Sequence, residues 1–324
     1  MEDNEGLVHL FVLDGKGGGR RGGWEDVRGW APGEGGLWLH LDYSSERVQN
    51  WVSGESGIDP IMAEALLAEE TRPRVLPAGG NFLIILRGVN CNPGEDPDDM
   101  VSLRLWMEDR RVISMRQRKV KAIEDVANSL AAGSGPRSTG EFLVDVAELM
   151  TVRAAEVVGA VDESVDDLED AVLTEESYEL RSRLSRLRRQ AISLRRYLAP
   201  QRDVLGKLQN ERATLLSDLD RAHLREVADR TTRLVEDLDA ARDRAAVVQE
   251  ELAGKLAEQM NRTMYILSIV AGIFLPLGLI TGLLGINVGG IPGTESNISF
   301  AIVSASLVIL AASQYWFFRR KHWL

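Results

Sequence analysis

Two uncharged stretches near the C-terminus constrain this chain more than anything else in it. Met264 to Leu284 and Ile298 to Phe318 contain no Asp, Glu, Lys or Arg. Each offers about 20 residues, enough helix to cross a hydrocarbon core of roughly 30 Å. The connection between them runs Gly285-Ile286-Asn287-Val288-Gly289-Gly290-Ile291-Pro292-Gly293 and then Thr294, Glu295, Ser296 and Asn297. Two spans joined this closely form a membrane hairpin, and a lipid bilayer is the expected partner. Most of the chain precedes the hairpin, so a large soluble body is expected ahead of a two-helix anchor.

Charge placement supports that division. The formal charge is −11, yet from Thr263 onward the chain has one acid, Glu295, and three bases, Arg319, Arg320 and Lys321. The body is therefore strongly acidic, which argues against nucleic acid and is compatible with cations. Lys255 and Arg262 precede the first span, the three terminal bases follow the second, and the loop has neither Lys nor Arg. The positive-inside rule then places both termini and the soluble body in the cytoplasm, with the hairpin in the cell (inner) membrane. Tyr315, Trp316, Phe317 and Phe318 make an aromatic belt at its inner surface. The single Cys91 excludes an internal disulfide and fits a reducing compartment. No charged leader followed by an apolar core opens the chain, so a cleaved export signal is not expected.

The first 136 residues read as an α/β domain. Strands are predicted over Leu7–Leu13, Leu37–Leu41, Asn81–Gly88, Val101–Met107 and Arg111–Met115. Helices are predicted from Ser44 to Val52 and from Asp59-Pro60 onward, Asp59 capping and Pro60 taking the first helical position. The glycine run after Lys16 lacks the Gly-Lys-Ser/Thr ending of a phosphate loop and reads as a hairpin. His40 has no ligand cluster around it in sequence and reads as a sheet residue. Glu95, Asp96, Asp98 and Asp99 read as a solvated loop.

From Glu141 the pattern is helical, and residues 137–262 are expected to be a cytoplasmic helical region. Pro200 is expected to end one helix, with a long stalk helix starting near residue 201. Leu234, Leu238, Ala241, Ala245, Val248, Leu252 and Leu256 form a heptad-like coiled-coil seam. A helix running from there into the first span has about 80 residues and a length of about 120 Å. Such a helix cannot bury its seam alone, so self-association is expected. Asp162, Asp166, Asp167 and Asp170, beside Glu163 and Glu169, crowd one stretch at helical spacing. Either a divalent cation relieves their repulsion or the basic run Arg181–Arg196 does. No acid–base pair or nucleophile constellation is visible, so the chain is not expected to be an enzyme and no cofactor is implied.

Gly285-Ile286-Asn287, closing the first span, resembles the Gly-x-Asn signature of the CorA superfamily of divalent-cation transporters. The usual magnesium form is Gly-Met-Asn. Ile286 in place of Met, with Val-Gly-Gly-Ile-Pro-Gly after it, resembles the zinc-transporter (ZntB-like) branch. Trp38-Leu39-His40-Leu41-Asp42, Glu69-Glu70-Thr71-Arg72-Pro73-Arg74 and Arg195-Arg196-Tyr197-Leu198-Ala199-Pro200 are also similar to segments of that family. The resemblance implies a homopentameric funnel: an α/β cytoplasmic domain, long α-helices and a transmembrane hairpin in residues 263–324. It implies a pore lined by the first span of each subunit. One face of that span carries Asn261, Met264, Leu267, Ser268, Ala271, Leu275, Gly278 and Gly282. Gly285, Ile286 and Asn287 would form the selective entrance, with Glu295 concentrating cations at the mouth. Neutral amides suit a hydrated divalent ion, since they bond its first-shell water without stripping it. The residues alone leave other readings open. Asn287 also suits a helix C-cap, and Gly278, Gly282 and Gly285 also suit helix packing in lipid. Zinc is the expected cargo and magnesium the alternative. A membrane-anchored scaffold or sensor that conducts nothing is the rival class.

Overall fold

The computed structural model describes residues 5–31, 35–69, 71–174, 178–211, 215–286, 293 and 296–321. They fall into two compact units, 1–249 and 250–324.

The first unit is built on a seven-stranded mixed sheet. Its strands are β1 (Leu7–Leu13), β2 (Gly19–Arg21), β3 (Gly36–Asp42), β4 (Arg74–Ala78), β5 (Asn81–Gly88), β6 (Val101–Met107) and β7 (Arg111–Arg116). Their spatial order is β2-β1-β3-β7-β6-β5-β4. Only the central β3–β7 pair is parallel, with Leu39 opposite Ile113. Alternation along the strands separates two cores. Phe82, Ile84 and Leu86 of β5 join Phe11, Trp38, Leu103 and Leu105 on one face. Leu83 and Ile85 join Leu37, Leu39, Trp106 and Ile113 on the other. Short helices α1 (Trp24–Gly29), α2 (Glu46–Gly54) and α3 (Pro60–Leu67) supply Trp24, Trp51 and Leu66 to the second core. The first core is closed by α4 (Lys121–Ala131), α5 (Thr139–Thr174), α6 (Tyr178–Leu208) and the start of α7 (Asp218–Gly285).

Local chemistry explains the boundaries. Asp59 caps α3, its carboxylate accepting from the Ile61 amide at 2.9 Å. The glycine run is the β1–β2 hairpin, where Asp14 accepts from the amides of Lys16 and Gly18. Strand β4 is absent from the sequence expectation, and it contains Pro77. It forms nonetheless, because it lies at the sheet edge, where a missing donor costs little.

Three helical expectations are corrected. Helix α6 does not stop at Pro200 but runs through it to Leu208. The register of β4 ends with Arg74 opposite Ile85. The Arg87 amide beyond that point donates instead to the buried Gln201 side chain at 2.7 Å. This tertiary bond ties the residue just past the proline to β5. The long helix therefore starts at Asp218, not near 201. A reciprocal capping box sets that start: Ser217 Oγ accepts from the Asp220 amide, and Asp220 Oδ2 accepts from the Ser217 amide. Lastly, Leu234, Leu238, Ala241, Ala245 and Val248 are buried within a single chain. Arg195 of α6 lies 2.7 Å from Asp239 of α7, and Arg188 donates to Gln249 at 3.1 Å. The seam is covered by the chain's own helices, so self-association does not follow from it.

Asp145 is half-buried on α5, and its carboxyl is pushed up to about 6 by burial, with Glu141 and Glu148 adding repulsion. A carboxyl that binds its proton more tightly folded than unfolded favours the fold at low pH. Its contribution is lost as pH rises from about 4 through about 6. Asp145→Asn should therefore raise the thermal midpoint at pH 7.5 by a few degrees and leave it almost unchanged at pH 4.5. Unfolding scans at the two pH values check this.

Candidate ion-conduction hairpin

The second unit contains the C-terminal part of α7 and the helix α8 (Asn297–Arg320). Two helices among the described residues, Asp218–Gly285 and Ile298–Arg320, are long and apolar enough to cross a membrane. Their apolar windows are almost wholly uncovered. Leu267, Phe274 and Leu275 of α7 and Ile298, Phe300 and Val308 of α8 expose two-thirds or more of their surface. In water that area is costly at about 25 cal/mol per Å²; in lipid it is not.

Several hydroxyls in these helices are satisfied locally, whereas the buried Gln314 Oε1 of α8 has no partner among the described residues. Thr281 Oγ1 donates to the Leu277 carbonyl at 3.0 Å, and Ser306 Oγ to Ile302 at 2.9 Å. Ser296 caps α8 by accepting from the Ile298 amide. In the connection, the Gly293 carbonyl accepts from the Ser296 amide at 3.1 Å. Gly293 has φ of +85°, and a side chain there would strike Ser299. At the other end Arg320 lies over the Trp316 ring at 5.3 Å, and Phe317 and Phe318 meet edge-on.

One stripe of α7 faces inward within this unit. Ile269 is buried, Gly272, Ile273, Pro276 and Leu277 are half-buried, and the other residues from Asn261 to Ile286 are exposed. A Cβ on Gly272 would come within 3.1 Å of the Phe318 ring, which identifies this stripe as the seat of α8. At about 100° per residue the stripe is one side of the helix. Met264, Leu267, Ser268, Ala271, Leu275, Gly278 and Gly282 fall on roughly the opposite side, and all are exposed. Asn261 is exposed as well, toward the edge of that face. A Cβ added to Gly278, Gly282 or Gly285 would meet nothing within 4 Å among the described residues, so none of the three packs on α8. Ile286 follows the helix end, half-exposed. Asn287 and Glu295 lie outside the described residues.

The other expected ligands are placed differently. Arg244 of α7 reaches Asp162 at 3.0 Å, Glu169 at 3.2 Å and also Asp166. The hydrogen bond to Asp166 raises the guanidinium pKa. Asp167 and Asp170 stay exposed on α5. One arginine, outside the expected Arg181–Arg196 run, thus gathers the acidic stretch. No group of three or more His, Cys, Asp or Glu assembles a metal site among the described residues. Arg118 similarly holds Glu95 at 3.0 Å and Asp99 at 2.6 Å. His40 is fully buried, its Nδ1 2.8 Å from Ser114 Oγ, and burial lowers its pKa well below the ordinary value. It is a sheet residue. Reading the sequence missed Arg244 because its partners lie about eighty residues away, and it missed the Gly272–Phe318 contact because no local pattern reports it.

An α/β body and two exposed apolar helices at the C-terminus define a membrane protein, and the comparisons with known proteins give its family. The family model described as CorA-like Mg2+ transporter protein matches residues 33–320. The divalent cation transporter CmaX of Pseudomonas aeruginosa is 40% identical, over 99% of this chain and 98% of its own length. The solved structure of full-length CmaX matches with a TM-score of 0.87 over 99% of both chains, at 39% identity. The zinc transport protein ZntB of Yersinia pseudotuberculosis is 38% identical, over 98% of this chain and 96% of its own. The chain belongs to the CorA-like transporter family, whose members move divalent cations and are not enzymes.

Two substitutions test the hairpin and the acidic stretch. Gly272→Leu overpacks the α7–α8 contact, a cost of about 1–3 kcal/mol. It should lower the thermal midpoint in detergent, whereas Gly278→Ala should leave it unchanged. Arg244→Ala leaves three carboxylates unopposed and should lower the midpoint by a few degrees at low salt. Because the pairs are partly exposed, that loss should shrink in roughly 0.5 M salt.

Proposed function

We propose that this protein conducts zinc across the inner membrane through a pore lined by α7 of several copies, arranged as a homopentamer. The observation that carries the reading is the opposition of two stripes on one helix. Ile269, Gly272, Ile273, Pro276 and Leu277 serve α8, and the far side, from Met264 to Gly282, is uncovered. A single chain leaves that far side without a wall. Closed symmetry supplies one, since identical faces brought to a common axis enclose a lumen.

The lining is uncharged, with Asn261 and Ser268 toward the inner half and Gly278 and Gly282 toward the outer. Such a wall offers no tight ligand. A conduit must release what it admits, so weak, water-mediated contacts suit it. Asn287 is assigned to the entrance, where its amide carbonyls would order the ion's hydration water, with Gly285 and Ile286 setting its approach. Glu295 is assigned to the mouth as an attractor of cations. Lys and Arg flank the spans but are missing from the loop, which favours both termini in the cytoplasm. Zinc is favoured over magnesium by Ile286, by the Val-Gly-Gly-Ile-Pro-Gly run and by the likeness to ZntB. The lining has no Cys or His, the usual zinc ligands, so magnesium is the second reading.

Purified protein in liposomes, loaded with an ion-sensitive dye, tests this. Zinc entry should fall at least tenfold in Asn287→Ala and in Gly278→Leu, the latter narrowing the lumen without touching α8. Magnesium entry in place of zinc would assign the other cargo. Failure of both ions to enter with a folded oligomer would remove the transport reading.

A further inference from the structure

The first unit holds a cleft unrelated to conduction. Its volume is about 440 Å³, and it is lined by Glu69, Thr71, Arg72, Arg87, Arg196 and Tyr197. These residues come from the turn after α3, from β5 and from α6. Their convergence is built by specific bonds. Arg87 Nη2 donates to the Thr71 carbonyl at 2.7 Å and Nη1 to the Met100 carbonyl at 3.0 Å. The guanidinium carbons of Arg87 and Arg196 lie 5.0 and 4.8 Å from the centre of the Tyr197 ring. Arg196 also donates to the Tyr197 hydroxyl at 2.8 Å. One tyrosine thus fixes two guanidiniums in place through its ring.

Among the described residues the charges lining this cleft do not balance. Nearby Arg118 holds Asp99 and Glu95, and Arg195 holds Asp239. Arg72, Arg87 and Arg196 hold no carboxylate among the described residues. Three cations and the single acid Glu69 leave the described lining with an excess of two positive charges. Two further arginines without a carboxylate among the described residues, Arg74 and Arg104, spend donors on the carbonyls of Ala65, Leu66 and Glu69. Repulsion from Arg87 and Arg74 helps to lower the Arg104 pKa, after burial. Of the three, Arg87 is half-buried, and a cation so placed without counter-charge is costly unless something negative arrives; Arg72 and Arg196 are exposed and open to an incoming anion. Each guanidinium is a planar fork of five donors, suited to gripping an oxyanion with two bonds at once. Among the described residues Arg72 spends none of its donors, and Arg196 spends one.

We propose that this cleft binds a small phosphate-bearing anion, with Arg72 and Arg196 as its main ligands and Arg87 as the fixed charge behind them. A doubly charged phosphate group matches the excess charge of the described lining. The volume, in the range of small-molecule sites, leaves room for a group attached to it.

Calorimetric titration of the full chain in an uncharged detergent at low salt tests the proposal, with pyrophosphate, a nucleoside triphosphate and adenosine as probes. Both phosphates should bind and adenosine should not. Arg72→Gln/Arg196→Gln should weaken phosphate binding at least tenfold, as expected for lost charge-assisted bonds. Arg183→Gln/Arg186→Gln, in a separate cleft lined by Asp96 and Asp98, should bind as the parent does. Should the double variant unfold, Arg72→Gln alone, at an exposed residue with no internal bond among the described residues, carries the same comparison. Tighter triphosphate than pyrophosphate places the nucleoside in the cleft, and the reverse identifies the bare anion; both support the site. Absence of binding at millimolar phosphate, or equal affinities in parent and variant, would overturn it. Neither result bears on zinc flux.

Discussion

A helix is at home in hydrocarbon because it satisfies its own backbone, and the second unit depends on that constraint. The hydroxyls of Thr281 and Ser306 fold back onto carbonyls of their own helices. Pro276 is the exception in α7. It donates nothing, and it leaves the Gly272 carbonyl without its usual helical donor. A Cβ on Gly272 would lie 3.1 Å from the Phe318 ring of α8. The weakest point of the backbone ladder is therefore covered by a neighbouring helix rather than by lipid, and the absence of a side chain at Gly272 permits it.

Helix α7 obeys two different rules along its length. Up to Val248 its apolar residues recur at steps of three and four, and every one of that seam is buried by the same chain. Charged residues fill the flanks, and the pairs Arg195–Asp239 and Arg244–Asp162 tie them to α6 and α5. From Met264 the charges disappear and the apolar residues surround the helix. A helix apolar all round belongs in a large core or in a membrane, and the described residues supply no such core. The change of rule within one uninterrupted helix is what distinguishes a membrane transporter's stalk from a soluble coiled coil.

Most elements were legible where local chemistry decides them. The spans were readable from uncharged length, the central strands from β-branched and alternating residues, and α3 from Asp59-Pro60. What escaped was decided by distant partners. Pro200 reads as a helix end, yet α6 runs through it, with Gln201 bonded to β5; β4, which contains Pro77 and lies at a sheet edge, has no counterpart in the sequence expectation. The start of α7 was available in the sequence, since Ser217 and Asp220 stand three apart as a capping box, but the proline outweighed it. The fate of the acidic stretch was not available. Helical spacing places Asp162 and Asp166 together, yet only tertiary structure brings Arg244 to them. Of the candidate conduction site, the family resemblance proposed the face of α7. The packing of α8 on the opposite face came from the structure.

That opposition limits what one chain can do. The α8-facing stripe has one glycine, Gly272, among Ile269, Ile273, Pro276 and Leu277, while Gly278 and Gly282 lie on the other side. If those two glycines served the hairpin, they would meet α8, and among the described residues they meet nothing. Small residues facing open space on an otherwise bulky helix have two physical uses: close approach of another helix, or width in a lumen. Close approach would bring two α7 helices together and shut the passage at that level. Width requires the copies to be held apart around an axis, which more than two subunits achieve. The same residues thus separate a packing dimer from a conducting ring, and the number of copies, rather than any single contact in the chain, decides between them.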